Sequence, residues 1–142
     1  MPSDVVLAFD NPRMTGSYPD KYQFLLGVGA YFQLIVNGTT VMDEPDFTIV
    51  ELRQWLKQWL DAGAQTDFVY TSIEAEEEGL VVFRKVGEDI GEVDSAWSQS
   101  GVPQKAPWTD IIDACHDYIS SVDCWFCSEC HVDLESELSD LR

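Results

Sequence analysis

Cys124, Cys127, Cys130 and His131 are the nearest this chain comes to a set of residues with site chemistry, with Cys115 and His116 upstream. Thiolates and imidazoles are the usual ligands of tetrahedral zinc. Such sites draw their ligand pairs from separate elements, whereas all of these residues fall on one predicted helix. At about 100° per residue, Cys115 and Cys130 share a stripe with Ile111, Ile112, Ile119, Val122 and Phe126. That stripe is a core face, where a free Cys acts as a small apolar residue. Cys124, Cys127 and His131 lie on its flank at i, i+3 and i+7. They make a three-ligand face, so a fourth ligand must come from elsewhere or from a break in the helix. The expectation is buried or half-buried thiols with no metal and no cofactor; Cys124, Cys127 and His131 are the candidate ligands.

Cys124-Trp125-Phe126-Cys127 also has C-x-x-C spacing. A redox pair works because its first Cys sits at a helix N-terminus, where the dipole lowers the thiol pKa. Here the pair lies well past the predicted helix start near Thr109. Asp123 and Glu129 are close by, and negative neighbours raise a thiol pKa. The remaining chemistry is sparse. His116 and His131 are the only imidazoles, and no nucleophile elbow accompanies them. Phosphate-binding loops are absent, since Gly27-Val28-Gly29 is too short a match. Asp43, Glu44 and Asp46 lack calcium-loop spacing and a downstream Glu, and Asp46 more simply serves the helix that follows. The chain is read as a non-enzyme.

The elements that position these residues are legible in outline. Residues 5–9 suit a first strand, and 10–20, with Asn11-Pro12, Gly16 and Pro19, read as a loop. Residues 22–36 are β-rich, with Gly27 and Gly29 marking a bulge or break. Asn37-Gly38 then signals a tight hairpin. A first helix follows: Thr48 and Glu51 have capping-box spacing, Pro45 lies just outside, and Gly63 is the stop. Its apolar stripe is Ile49, Leu52, Trp55, Leu56, Trp59 and Leu60. Strands are expected at 68–75, 80–86 and 92–98, joined as a meander, with a loop at 100–107. A second helix starts near Thr109 and runs towards Leu141, with room for a break. The fold class is therefore α+β: a mainly antiparallel sheet of about five or six strands with two helices packed on one face. Residues 1–142 read as a single globular domain.

Charge is the strongest compositional signal. There are 26 Asp and Glu against 8 Lys and Arg, a formal −18 over 142 residues. Apolar residues still make up 45%, enough for a real core, so the charge is not that of a disordered acidic tail. Such a balance disfavours nucleic acid and anionic lipid as direct partners and favours a basic protein. No stretch approaches the roughly 20 apolar residues of a membrane span. The N-terminus lacks the basic region and cleavage site of a signal peptide, and clustered Cys fit reduced thiols, so the expected location is the cytoplasm.

The acids fall into three groups. The first is Asp43, Glu44 and Asp46. The second is Glu74, Glu76, Glu77, Glu78, Glu88, Asp89, Glu92 and Asp94, in the meander. The third runs along the late helix: Asp110, Asp113, Asp117, Asp123, Glu129, Asp133, Glu135, Glu137 and Asp140. Solvated faces that keep a protein soluble are the ordinary explanation. Two features point further. Four acids crowd into residues 74–78, and the second helix is acidic towards its C-terminus, where the dipole prefers cations. A basic partner would relieve both. The partner-binding candidates are accordingly Glu74, Glu76, Glu77, Glu78, Glu88, Asp89, Glu92 and Asp94, with Tyr70 and Trp97 as aromatic anchors. Trp108 and Trp125 are further aromatics outside the first helix's stripe. Val50, Trp125 and Val132 form an apolar flank suited to a dimer, and the oligomeric state is left open.

In size, charge and α+β make-up, with a compact hairpin–helix–strand unit over residues 32–38, 51–59 and 68–72, the chain resembles the small acidic immunity proteins of bacterial contact-dependent inhibition and other polymorphic toxin systems. The resemblance implies a non-catalytic cytoplasmic protein that neutralises a toxin, often a basic nuclease, by covering its active-site cleft. Two other readings stand beside it. One is a nucleic-acid mimic that inhibits a nucleic-acid-binding protein; the other is a zinc- or thiol-containing regulatory domain.

Overall fold

The computed structural model describes residues 5–14, 28–70, 79–98 and 102–130. Among them are seven strands in two antiparallel sheets, and two helices. β1 (Val5–Met14), β2 (Val28–Val36) and β3 (Thr39–Thr48) form the first sheet in that order. Helix α1 (Ile49–Asp61) follows directly. β4 (Phe68–Tyr70), β5 (Val81–Lys85), β6 (Ile90–Asp94) and β7 (Gln104–Pro107) form the second sheet, again in chain order. Helix α2 (Trp108–Trp125) closes the series and passes into a π-turn, Phe126–Cys130. The α+β, antiparallel class is as expected. The strands outnumber expectation and divide between two sheets.

Local chemistry accounts for most boundaries. Asn37 and Gly38 both adopt positive φ, 51° and 80°, which a two-residue turn between Val36 and Thr39 requires. β1 continues beyond residue 9 because a register shift between Asp10 and Arg13 absorbs Asn11-Pro12 as a bulge. α1 ends in a Schellman motif: Gly63 N–H donates to Leu60 O at 3.0 Å and Ala64 N–H to Trp59 O at 3.1 Å. Gly63 carries φ +104°, the backbone state that makes glycine the stop. β7, within the expected loop, is a short edge strand that ends on Pro107, where no further ladder donor is needed.

One apolar core joins both sheets to both helices. In β2, Ala30, Phe32, Leu34 and Val36 are buried while the alternate residues are half-exposed, the period of a one-sided strand. Tyr118 of α2 meets Phe9 and Phe32 of the first sheet edge-on, at 6.1 and 5.9 Å. Trp59 of α1 lies against Phe68, Phe83 and Trp108. α2 approaches the second sheet so closely that a Cβ on Gly91 would fall 2.6 Å from Trp108 and 2.7 Å from Ile111. The sheets also touch at the hairpin, where the Asn37 amide donates to Lys105 O at 3.2 Å.

Candidate functional site

The N-terminal half of α1 is buried all round, and it carries charge inward. Ile49, Val50, Glu51, Leu52, Arg53 and Gln54 are all buried. The capping box read from Thr48 and Glu51 does not form: Thr48 makes no side-chain bond to the helix N–H groups. Instead Tyr70 donates to Glu51 Oε1 at 2.6 Å, and Thr48 Oγ1 lies 3.3 Å from that oxygen and 2.8 Å from Tyr70 OH. The carboxylate has turned from the helix end to the second sheet. Tyr70 is therefore fully buried and cannot anchor a partner, a correction to its expected role. The expected core stripe of α1 also changes at Trp55, which is 38% exposed with its edge on Tyr70, and at Leu60, which is half-buried.

Arg53 was invisible in the pattern of the sequence, yet it ties the two helices. Its Nε and Nη2 donate to the two oxygens of Asp123 at 2.9 and 3.0 Å, and Nη1 donates to Gln54 at 3.2 Å. Such a fork is the strong form of carboxylate pairing. The guanidinium is 1% exposed and Asp123 30%. It also supplies the cation that the acidic last turns of α2 lack in sequence, so Asp123 does not stand uncompensated. Nearby, Tyr118 donates to Ile49 O at 2.8 Å, and burial holds its phenol well above the usual range. Among the described residues, every buried side-chain nitrogen and oxygen has a partner.

Among the described meander acids, most have structural duties. Asp89 sits in the β5–β6 turn and serves the start of α2: its carbonyl accepts from Trp108 N–H at 3.0 Å and its carboxylate from Thr109 N–H at 3.3 Å. A carboxylate from another element thus takes the N-cap place that Pro107 cannot fill. Asp94 pairs with Arg84 at 3.5 Å and accepts from Ser95 N–H at 2.8 Å. Glu92 stands in register between Arg84 on β5 and Lys105 on β7, a row of alternating sign. Glu88 is exposed. Trp97 is half-buried and packs on the core. Trp108 is buried, with its indole N–H donating to Ala64 O at 3.0 Å, so it offers no contact surface. Glu74, Glu76, Glu77 and Glu78 lie outside the described residues.

In the first sheet, Tyr31 donates to Asp43, and this bond pushes its phenol up. Desolvation and the neighbouring Asp43 raise the Glu44 carboxyl. In the cysteine region, Cys115 is buried in the core, as its stripe predicted, and burial pushes its thiol up. Cys124 and Cys127 are exposed rather than half-buried. The π-turn breaks the helical phase after Trp125, so the single α-helical wheel drawn through Cys130 does not hold. The Cys130 side chain and His131 lie outside the described residues. Among those described, no three or more His, Cys, Asp and Glu gather to hold a metal ion. Val50 of the proposed dimer flank is buried, Trp125 is half-buried, and Val132 lies outside the described residues.

α2 itself carries four aspartates, Asp110, Asp113, Asp117 and Asp123, and no Lys or Arg. Asp123 takes Arg53 inward. Asp113 and Asp117 are exposed, with His116 and Ser120 beside them, and make no hydrogen bond or ion pair among the described residues.

A family described as a domain of unknown function (DUF7878) matches residues 5–126, from the first residue of β1 to the first of the π-turn. The chain belongs to the DUF7878 family. The matched span takes in both sheets, both helices and the Arg53–Asp123 tie, and stops before Cys127. No curated protein and no solved structure matches the chain. Among the described residues, no helix is long and apolar enough to cross a membrane.

Proposed function

We propose that this DUF7878 protein is a non-catalytic acidic binding protein that neutralises a basic partner in the cytoplasm, most simply as an immunity protein set against a bacterial toxin. The observation that carries the reading is the partition of charge. Arg84, Lys85 and Lys105 gather on the second sheet, and Arg53 turns inward to Asp123, while α2 has no cation of its own. Its outward Asp113 and Asp117 thereby present an acidic stripe that the fold does not need for packing. Such a stripe steers a basic cleft towards it and fixes orientation on arrival. The contact residues of the proposal shift accordingly, from Asp89, Glu92 and Asp94 towards α2, with Glu88 retained as an exposed acid.

The test is capture of partners from the source cells at low and high salt, followed by association kinetics with whatever is retained. The reading expects one basic protein that stays bound at high salt but associates more slowly there. It also expects charge reversal at Asp113 and Asp117 to slow association by about tenfold or more, the lower range of electrostatic steering. A set of basic proteins that all wash off with salt would sink the proposal, and so would a partner whose association rate ignores the reversal. Competition by DNA or RNA for the same target would turn the reading to nucleic-acid mimicry.

A further inference from the structure

Cys124 and Cys127 have no part in the core, in the helix tie or in the acidic stripe. Both thiols are exposed, and neither makes a hydrogen bond or ion pair among the described residues. The two residues between them hold the backbone from inside. Phe126 is completely buried, and Trp125, half-buried, meets its ring edge-on at 4.8 Å. The last residues of α2 and the start of the π-turn are thus pinned to the core, with one thiol on each side of the pin.

Spacing decides what such a pair can do. Residues three apart on an α-helix have Cβ atoms about 5–6 Å apart, and the wider winding of the π-turn that holds Cys127 brings the pair no closer. A disulfide needs them at about 3.5–4.5 Å. Direct sulfur–sulfur bonding would therefore have to draw the turn together against the Phe126 anchor. An ion seated between the sulfurs has an easier fit, because each metal–sulfur bond adds about 2.3 Å. Two thiols leave zinc's tetrahedral shell half empty. They suit a soft monovalent ion that prefers thiolates and accepts few ligands.

We propose that Cys124 and Cys127 form a two-thiolate site for a soft monovalent cation of the copper(I) class. On binding, each Sγ–H bond breaks and its proton passes to solvent. Two metal–sulfur bonds form, and the metal keeps its +1 state, so no oxidant or reductant takes part. Release of two protons makes the affinity rise with pH. The site is independent of the proposed partner-binding role and stands or falls separately from it.

Anaerobic titration of the reduced full chain with copper(I), in competition with a chromophoric copper(I) chelator, tests the assignment. The expected result is one copper(I) withdrawn from the chelator per chain, more completely at higher pH. Cys124→Ser and Cys127→Ser should each weaken binding by more than about 100-fold, the upper range for losing a group that merely orients a ligand. Cys130→Ser should leave the affinity unchanged. Far-UV circular dichroism confirms that these variants stay folded. A chelator that keeps its copper against the parent chain overturns the site. So do single variants that bind as tightly as the parent, and a loss in Cys130→Ser equal to theirs refutes a site of two thiolates.

Discussion

The acids around the second sheet and the acids on the outer side of α2 look alike in sequence, but the fold treats them differently. Asp89 caps a helix, Asp94 pairs with Arg84, and Glu92 stands between Arg84 and Lys105. Asp123 takes a buried guanidinium. Asp113 and Asp117, on the same helix as Asp123, face solvent without a cation. A count of charge therefore does not locate a binding surface. The better guide is the set of acids left over once internal partners have been assigned, and among the described residues that set includes Glu88 of the meander and Asp113 and Asp117 of α2.

Removing a partnered acid should hurt most where its partner cannot return to water. Asp123→Ala leaves Arg53 buried and without its carboxylate, an expected loss of about 3–5 kcal/mol in urea unfolding. Arg53→Met is expected to lose less, because Asp123 is 30% exposed and can rehydrate. Equal losses would break the account of the tie. Asp89→Ala should cost about 1 kcal/mol, the usual value of a helix cap, read in the same unfolding curves. No change there would put Asp89 back among the free surface acids.

Glu44→Gln should act in the opposite direction. Burial and Asp43 raise the Glu44 carboxyl above its ordinary 4.5, so the folded state binds its proton more readily than the unfolded chain does. Stability attributable to this group falls as pH rises from the ordinary value through the raised one. The variant should melt above the parent at pH 7, and the gap should close as pH drops and Glu44 takes up its proton. A gap that widens in acid would reverse the sign. The smallest effect is expected from Asp113→Asn with Asp117→Asn, a change within about 0.5 kcal/mol, as for surface sites without partners. A larger loss would show that these acids also have an internal duty.

The parts of this fold that depend on neighbours in sequence are legible there. Asn37-Gly38 sets its hairpin by its own backbone preference, and Gly63 ends α1 for the same reason. Leu52, Leu56 and Trp59 declare a core face by spacing alone, and Cys115 joins the core of α2 in the same way. Contacts between distant residues are not legible. Thr48 and Glu51 have the spacing of a capping box, but Tyr70 lies across the chain and takes the carboxylate. Nothing beside Arg53 announces that it will be buried, because its partner stands 70 residues away. β7 hides between Pro103 and Pro107 because its pairing with β6, not its composition, makes it a strand. Which acids stay free is legible only in part, since an acid's availability depends on which cations the fold brings to it.

The hairpin tip at Asn37-Gly38 has a practical consequence. Tight surface turns are the usual places to insert a tag, a label or a foreign peptide. Here the tip also reaches across to β7 through the Asn37 amide and so pins one sheet to the other. An insertion at this turn would break that cross-sheet bond as well as lengthen a loop. A graft placed there would therefore report on how much that one bond contributes to holding the two sheets together.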